Sequence, residues 1–510
     1  MNKRNTQRLQ SIQGIQSMHL AVPAATQQRK GAHIVIVGNG IAGLTAAIAA
    51  RRAAPHKGII IVTEQSHPTI NTPALKQFAI GKLGREQLLA YPLATERNNN
   101  IHLVHGRVEE IQARDRYIRL SHGGILDYGD LLLATGSTAN GLPYDVPGRD
   151  FDGVLVLHRL QDYLSLRRRL HEVEDVVVIG GGVHAAETVM CMVQLGLQTH
   201  WLMRGKTFLS RMFDAVASAR MIQHIQQQGV TVYTETEVTG IVGSVGVVAG
   251  VVTNEQQMIA CQLVLVCTGS SPNTTLANYC TQSIQHEPGR GILVNDQLRT
   301  SVPGIYAAGD VAALKNPQTS MHETRAQWYA AAVQGHSAAA TMTGTALEVP
   351  FFGVPWHATR IGDLSMLMVG NTVSPVPGVQ VYSDTSKGSY RRLAVSNDRL
   401  VGYLSLGPTQ PDGLAIKRIV DEEISLRNVG ESLLKGTFDA HHFSAERHTQ
   451  VIKAIRTVHT PAPGTSGKLP AIKPTVLALP SLPAAHSQEH SRSLWTYNRQ
   501  RGQFLQEKGS

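Results

Sequence analysis

Two glycine-rich turns, each between an apolar strand and an alanine-rich helix, constrain the fold of this chain more than any other feature. The first lies in HIVIVGNGIAGLTAAIAA, residues 33–50, and the second in VVVIGGGVHAAETV, residues 176–189. In such turns the glycines allow a tight bend, close approach of the backbone to a pyrophosphate, and close helix–strand packing. The phosphate lies at the helix N-terminus, where free N–H groups and the helix dipole favour an anion. Two copies predict an α/β fold with two dinucleotide sites.

The first turn carries the full set of glycines, Gly38, Gly40 and Gly43. A second apolar strand, residues 58–62, leads to Glu64, about 20 residues past the last glycine, where a carboxylate can accept hydrogen bonds from an adenosine ribose. The combination predicts a dinucleotide site. The alternative is a glycine-rich turn with a purely structural role in an α/β fold.

The second turn carries Gly180 and Gly182, and Ala185 replaces its third glycine, a change that the motif tolerates. The next strand leads to Arg204 rather than to a carboxylate, and Lys206 lies close by. Such cations can accommodate a ribose 2′-phosphate, so the sequence favours NADPH over NADH as the dinucleotide here. The alternative is that both cations are solvated loop charges, which leaves NADH open.

Three further blocks separate the turns and follow them. They are DYGDLLLATGS at residues 127–137, LVLVCTGSSPN at 263–273 and GILVNDQLRTSVPGIYAAGDVA at 291–312. In order and spacing, residues 32–340 resemble the two-dinucleotide-binding-domain flavoproteins of the pyridine-nucleotide–disulfide oxidoreductase superfamily. The resemblance implies two Rossmann-like domains, the second inserted in the first, plus a C-terminal α+β interface domain. The first turn would bind FAD and the second NAD(P)H.

The resemblance also divides the chain into segments. We expect a disordered N-terminal tail over 1–30, an FAD-binding domain over 31–150 and 268–345, an NAD(P)H-binding domain over 151–267, a C-terminal interface domain over 346–455, and a Pro-rich linker with a basic tail over 456–510.

The resemblance assigns roles to particular residues. Glu187 stands where the family has a glutamate near nicotinamide and flavin, and Lys76 is its expected partner. A helix over about 323–340 would direct its N-terminus at the flavin. The residues expected to bind FAD are Gly38, Gly40, Gly43, Glu64, Thr135, Gly136, Gly309, Asp310 and Trp328. Those expected to bind NAD(P)H are Gly180, Gly182, Ala185, Glu187, Arg204 and Gly269.

The positions of the cysteines limit the branches of the superfamily to which this chain can belong. None of the four cysteines forms a CxxC pair or has metal-ligand spacing, and the segment after Glu64, residues 65–88, contains no cysteine at all. Thiol chemistry at the flavin is therefore excluded. The same segment resembles the RPxLSK block of rubredoxin-, ferredoxin- and nitrite-reductase-type reductases. Pro73 and Leu75 match that block, Thr72 stands where arginine is common, and Lys76 lies one place early.

The composition limits which classes of partner and which cellular compartment are compatible with this chain. The net charge is +10, which would suit an acidic redox partner better than nucleic acid. No apolar run is long enough to span a bilayer, and no metal-ligand spacing is present. Unpaired cysteines and the lack of an apolar leader favour a cytoplasmic protein with reduced thiols. The C-terminal domain of the resembling group often forms a dimer surface, so a homodimer is compatible with the sequence.

The sequence predicts an FAD-dependent NAD(P)H oxidoreductase. Its expected acceptor is a small redox protein of the rubredoxin or ferredoxin type, or the partner in a nitrite-reductase-like system, for which this chain would supply only the reductase portion. Two alternatives remain at this point. One is a peripheral membrane NAD(P)H:quinone reductase, and the other is a slow FAD-binding scaffold that senses NAD(P)H.

Overall fold

The computed structural model describes residues 33–316, 318–345, 354–373, 378–386, 388–409 and 411–443. The expected N-terminal tail, residues 1–30, and the expected linker and basic tail, residues 456–510, lie outside the described residues.

Helices and strands alternate through the first half of the chain and give way to strands near its end. The α-helices are α1 Ile41–Ala53, α2 Leu75–Ala79, α3 Thr95–Asn98, α4 Leu160–Arg169, α5 Val183–Gln194, α6 Ala215–Gln227, α7 Thr275–Asn278, α8 Trp328–Thr343, α9 Gly413–Asp421 and α10 Gly430–Lys435. The first strands are β1 His33–Val37, β2 Gly58–Thr63, β3 His102–His105, β4 Val108–Gln112, β5 Tyr117–Leu120, β6 Ile125–Asp127, β7 Asp130–Leu133, β8 Ser137–Ala139 and β9 Val154–Val156.

The remaining strands complete the second half. They are β10 Asp175–Ile179, β11 Gln198–Leu202, β12 Thr231–Tyr233, β13 Val238–Ser244, β14 Val247–Thr253, β15 Met258–Ala260, β16 Leu263–Val266, β17 Ser270–Pro272, β18 His286–Glu287, β19 Gly291–Val294, β20 Ile305–Ala307, β21 Ala312–Lys315, β22 His322–Thr324, β23 Trp356–Ile361, β24 Leu364–Gly370, β25 Gln380–Asp384, β26 Tyr390–Ser396 and β27 Arg399–Gly407.

Two parallel sheets have the same internal design. The first has the strand order β20-β7-β1-β2-β3 and the second the order β12-β11-β10-β16-β9. Thus β7-β1-β2-β3 corresponds to β16-β10-β11-β12, and each set includes the strand that enters a glycine turn. In both halves an antiparallel three-stranded sheet, β4–β6 or β13–β15, lies in the crossover to the fourth strand of the set. The repeated turn in the sequence therefore reflects a repeated domain.

The strands that carry the turns are buried because helices cover parallel sheets on both faces. Residues 34–36 of β1 and 176–178 of β10 have no exposed surface. Their registers are simple: Ile34 pairs with Ile59, and Val176 pairs with Thr199. Parallel pairing brings the carboxyl ends of β1 and β2, and those of β10 and β11, to one edge of each sheet. Each glycine turn leaves its sheet at that edge.

The third unit is an antiparallel sheet with the order β23-β24-β27-β26-β25, followed by α9 and α10. Its β26–β27 hairpin turns through Asn397 and Asp398, whose φ angles are 49° and 61°. Two successive positive φ values are typical of the tight hairpin turns that Asn and Asp favour. The Asn-Asp turn signal and the strands around it match the α+β domain that the sequence predicted.

The helix expected over residues 323–340 begins later and ends later. Residues His322–Thr324 form β22, which pairs with β21, and α8 runs over Trp328–Thr343. Pairing with β21 satisfies the backbone of these residues, so the helix starts only after it. Gly344 then ends α8 in the left-handed region, with φ 70°. The helix N-terminus consequently lies at Trp328.

Helix α8 packs directly against α1 through small residues. A Cβ placed on Gly335 would lie 2.2 Å from the carbonyl oxygen of Ala42, and one on Gly309 would lie 3.0 Å from the Cβ of Ala42. Gly335 therefore allows backbone-to-backbone contact between the two helices, and Gly309 lets the segment after β20 pack against the Ala42 side chain beside the first turn.

We predict that Gly335→Ala lowers the free energy of unfolding by about 2 kcal/mol, because the added methyl group forces α8 away from α1. Thermal or urea unfolding of the purified protein would measure this. Gly240→Ala is the matched control, since a Cβ at Gly240 would meet no described atom within 4 Å. Equal midpoints for the two variants would contradict the close-packing interpretation.

Candidate functional site

The two glycine turns have the same geometry. Gly38 has φ 112° and Gly180 has φ 140°, both in the region that favours glycine. A Cβ on Gly38 would lie 2.3 Å from the carbonyl oxygen of Ala134, and one on Gly180 would lie 2.2 Å from that of Cys267. Each first glycine is thus required both by its backbone angle and by the neighbouring strand end.

The other positions of the motif also match in pairs. Gly40 and Gly182 are the N-caps of α1 and α5, and a Cβ on either would meet no described atom within 4 Å. A Cβ on Gly43 would lie 2.0 Å from the carbonyl oxygen of Gly38, whereas Ala185 at the equivalent place is fully buried. The open side at the two N-caps is therefore the space where a pyrophosphate can approach each helix N-terminus.

The carboxylate and the arginine expected at the adenosine ends occupy equivalent places. Glu64 immediately follows β2 and Arg204 comes one residue after Met203, which follows β11; both side chains are exposed. Their strands hydrogen-bond to the turns in the same way: Gly38 donates to the carbonyl of Val62. Gly180 likewise donates to the carbonyl of Leu202. The second strand therefore presents a cation where the first presents an anion.

The two crossings between the parallel sheets are tied together. Thr135 Oγ1 donates to the Asn273 carbonyl at 2.9 Å, and Asn273 Nδ2 donates to the Thr135 carbonyl at 2.8 Å. Gly136 has φ 68° and Gly269 has φ 98°, so both crossings bend at a glycine in the left-handed region. The structure thus brings Thr135 and Gly136 beside the return crossing, a contact that the sequence did not predict.

A largely buried carboxyl group, that of Asp310, follows Gly309, which packs between α1 and α8. Asp310 accepts a hydrogen bond from Ser137 Oγ at 2.8 Å. Burial raises the pKa of the Asp310 carboxyl, and the Ser137 hydroxyl partly offsets that effect. Gly309, with φ 81°, donates its N–H to Gln334 Oε1 at 2.7 Å. Asp310 is therefore held by the strand crossing at Ser137, and Gly309 by α8.

The predicted partners Lys76 and Glu187 form an ion pair. Lys76 Nζ on α2 lies 2.9 Å from Glu187 Oε2 on α5, and the side chains are 14% and 23% exposed. Thr359 on β23 donates to Glu187 Oε1 at 2.6 Å. Burial would raise the pKa of Glu187, but Lys76 and the Thr359 hydroxyl more than offset this, so its pKa is lowered. The one-place offset of Lys76 in the sequence does not prevent the pair.

Two residues that the sequence did not predict complete this cluster. His184 Nδ1 accepts a hydrogen bond from Lys76 Nζ at 3.3 Å, and its Nε2 lies 3.4 Å from the hydroxyl oxygen of Tyr163. Burial and the Lys76 charge lower the pKa of His184 to about 4. The only sequence signal was a histidine inside a glycine turn whose first copy has Ala42 at the equivalent position.

The start of α8 and the start of β23 each carry one buried N–H donor. Trp328 Nε1 and His357 Nε2 are buried without a hydrogen-bond partner among the described residues. His357 Nδ1 accepts from Gln327 Nε2 at 3.0 Å, so its other nitrogen bears the proton. Burial lowers the pKa of His357, which keeps its ring neutral. Buried donors of this kind are rare in finished cores and fit a bound heteroaromatic group rich in acceptors.

The residues present therefore fit FAD and a nicotinamide dinucleotide. The open N-caps Gly40 and Gly182 fit the two pyrophosphates, and the unpaired Trp328 donor fits a flavin edge. The cluster around Lys76 and Glu187 connects α5, which follows the second turn, to α2, which follows β2. Within the ranges given above, no group of three or more His, Cys, Asp or Glu side chains could hold a metal ion. Nor is any described helix long and apolar enough to cross a bilayer.

The cysteines show no sign of activation. Burial raises the pKa of Cys191 to about 11 and that of Cys267 to about 12. Cys261 is likewise buried with a pKa of about 12, and Cys280 is half-buried with a raised pKa. Reactive cysteines have lowered pKa values, so these thiols are inert in this environment.

Comparison with known proteins agrees with this geometry. A family described as pyridine nucleotide-disulphide oxidoreductase matches residues 32–335. A rubredoxin-NAD(+) reductase of Pseudomonas putida is 28% identical over 62% of this chain and 81% of its own length. The ferredoxin–NAD(+) reductase subunit of a benzene 1,2-dioxygenase system, also from Pseudomonas putida, is 28% identical over 67% of this chain and 82% of its own length.

A solved structure gives the same result. The ferredoxin reductase for the CYP199A2 system of Rhodopseudomonas palustris superposes with a TM-score of 0.71 and 25% identity, covering 81% of this chain and 99% of that chain. These similarities confirm the predicted superfamily and branch, the α/β fold with Rossmann-like domains, the oxidoreductase class, and the pairing of FAD with NAD(P)H.

The pKa of His184 predicts a pH dependence of stability. Its value of about 4 in the folded protein lies below the ordinary 6.5, so the unfolded chain takes up the proton first as the pH falls. The free energy of unfolding should therefore fall below pH 6.5, by up to about 2 kcal/mol at pH 5 from this residue alone. Urea unfolding at pH 8 and pH 5 would measure this. His184→Asn cannot titrate, so its loss should be smaller; an equal loss in both proteins would contradict the assignment.

Proposed function

The chain belongs to the pyridine nucleotide-disulphide oxidoreductase family, and we propose that it is the reductase of an electron-transfer chain that delivers electrons to a small rubredoxin- or ferredoxin-like protein. Hydride would enter from NAD(P)H. FAD, when bound, supplies the conversion of a two-electron donor into single electrons. The observation that carries the proposal is the Lys76–Glu187 pair, which joins the two dinucleotide units. Its lysine comes from residues 65–88, a segment without cysteine.

The protein's own contribution is binding and orientation. For FAD, we propose that Gly40 offers the helix N-terminus to the pyrophosphate and that Glu64 accepts from the ribose. Asp310 and Trp328 would contact the flavin end. For NAD(P)H, Gly182 would hold the pyrophosphate, while Glu187 and Lys76 would lie at the nicotinamide. The remaining motif glycines, Thr135 and Ala185 would support these contacts by close packing.

The strand orders support the proposed division of the chain. Sheet β20-β7-β1-β2-β3 draws on residues 31–150 and 268–345, as an FAD-binding domain would. Sheet β12-β11-β10-β16-β9 lies within residues 151–267, as an inserted NAD(P)H-binding domain would. The described strands of the interface domain lie within residues 346–455.

Inert thiols support an electron-transfer role over disulfide chemistry. In the segment of residues 65–88, a disulfide reductase of this superfamily would carry its redox cysteines, and this chain has none there. Burial raises the pKa of Cys191, whose sulfur accepts a hydrogen bond from Gln77 of that segment. Reduced flavin would therefore pass its electrons outward, to an acceptor that binds from solution.

Charge along the chain refines the proposal of an acidic acceptor. Residues 1–32 have five Lys or Arg and no Asp or Glu, and residues 444–510 have nine Lys or Arg against three Asp or Glu. Together these end segments carry more net positive charge than the whole chain, so residues 33–443 are close to neutral. We propose that the basic ends attract an acidic acceptor at long range. A cytoplasmic location and a homodimer complete the proposal.

A single set of measurements tests this function. The purified full-length protein should show a flavin spectrum, and anaerobic addition of NADH or NADPH should bleach it. Added ferredoxin or rubredoxin should then raise cytochrome c reduction by about tenfold or more, as expected when an electrostatically steered partner carries the electrons. Colourless protein that takes up no flavin would overturn the proposal. Turnover with quinone that requires liposomes and no acceptor protein would overturn the choice of acceptor.

Arg204 decides the nucleotide preference. We expect Arg204→Ala to raise KM for NADPH by about tenfold, because a charge-assisted hydrogen bond to the 2′-phosphate is lost, and to change KM for NADH by less than about twofold. Steady-state kinetics with both nucleotides would measure the split. Arg114→Ala, another exposed arginine on the loop between β4 and β5, is the control. Equal effects on NADPH and NADH would remove the preference for NADPH.

A further inference from the structure

His184 is a residue of the second glycine turn that the dinucleotide fold does not require. The two turns correspond position by position in sequence, and Ala42 occupies the equivalent place in the first turn, where it is buried. An alanine there is enough to pack a helix behind a glycine turn. The second turn instead places an imidazole at the start of α5, one turn before Glu187 and within hydrogen-bond reach of Lys76. Its chemistry therefore calls for an explanation other than packing.

The hydrogen bonds fix the protonation of this imidazole. The Lys76 ammonium can only donate, so His184 Nδ1 at 3.3 Å must accept. The single ring proton of the neutral form is then on Nε2, which donates to the Tyr163 hydroxyl oxygen at 3.4 Å. Lys76 Nζ also lies 2.9 Å from Glu187 Oε2. Two of the three N–H groups of Lys76 are thus committed, and the direction of the third is defined.

We propose that His184 is a positioning residue for hydride transfer, whose neutral ring holds the Lys76 ammonium on Glu187 and thereby orients the remaining Lys76 N–H toward the space where nicotinamide and flavin meet. This inference rests on the proposed function. The ring and the carboxylate hold Lys76 from two sides, one by a neutral acceptor and the other by a charge. A ring that carried its own positive charge would repel Lys76, so the neutral tautomer is part of the role.

The surroundings of the cluster keep the ring neutral. Around His184 the charged and titratable groups are Lys76 on α2, Tyr163 on α4, Glu187 on α5 and His158 after β9. Lys76 and His158 oppose a second proton on the ring, whereas Glu187 and a hydrogen bond with the Leu157 backbone favour one; burial and the Lys76 charge outweigh them, so the pKa of His184 is lowered. Tyr163 is buried and its pKa is raised well above its usual value, so it stays a neutral hydroxyl. The ring therefore remains an acceptor toward Lys76 across the physiological pH range.

Three variants test the role by kinetics. His184→Leu removes the acceptor and should lower the limiting rate constant of flavin reduction by about tenfold, with a change of less than about threefold in the dissociation constant of NAD(P)H, because orientation is lost while binding remains. His184→Asn places a carboxamide oxygen near the position of Nδ1 and should restore most of the rate. Thr188→Val, one turn later on the same helix, is the control and should leave the rate unchanged. Stopped-flow reduction over a range of nucleotide concentrations separates rate from binding.

A second readout does not depend on turnover. With 15N-labelled histidine, one resonance absent from the His184→Asn spectrum should report a neutral Nε2–H tautomer at pH 8 and at pH 6. An Nδ1–H tautomer, or a protonated ring at pH 6, would overturn the proposal, as would equal reduction rates in all three variants. If NAD(P)H fails to reduce the flavin of the wild-type protein, the proposed function fails instead, while the tautomer measurement still reports on His184.

Discussion

The ion pair between Lys76 and Glu187 is the contact on which the arrangement of this molecule depends. It joins α2, which follows the second strand of the first sheet, to α5, which leaves the glycine turn of the second sheet. A largely buried pair of this kind is costly unless its remaining hydrogen-bonding capacity is satisfied. Here Thr359 satisfies the carboxylate from the third sheet and His184 accepts from the ammonium. Three separate units therefore meet at one charge pair.

Much of the fold could be predicted from the sequence because its signals are local. The glycine turns at Gly38 and Gly180 were recognisable from the succession of strand, turn and helix in the sequence. Both glycines lie so close to neighbouring carbonyl oxygens that a larger residue would not fit there. The hairpin turn at Asn397 could likewise be predicted from the sequence. The start of α8 was not, since the pairing of residues 322–324 with β21 is a long-range choice that overrides local helical preference.

The candidate site was predictable in part. Lys76 and Glu187 are far apart in the chain, and only the resemblance to known flavoproteins put them together; the distance between their charged atoms now supports that pairing. His184 and Thr359 escaped prediction for a physical reason. Their roles arise from tertiary contacts with Lys76 and Glu187, and neither residue type has a spacing that signals such contacts. The end segments, whose charge is plain in the sequence, lie outside the described residues.

With the nicotinamide at Glu187, as proposed, the hydrogen bond from Thr359 to Glu187 couples the third sheet to nucleotide binding. A ligand that strengthens or weakens the Thr359–Glu187 hydrogen bond also changes the stability of the contact between β23 and α5. By thermodynamic linkage, a change in that contact alters the affinity for the ligand by the same free energy. A protein that binds the outer face of that sheet could thereby tune nucleotide affinity from a distance, without approaching either cofactor. The Thr359 hydroxyl group would then couple nucleotide binding to the binding of a protein on the third sheet.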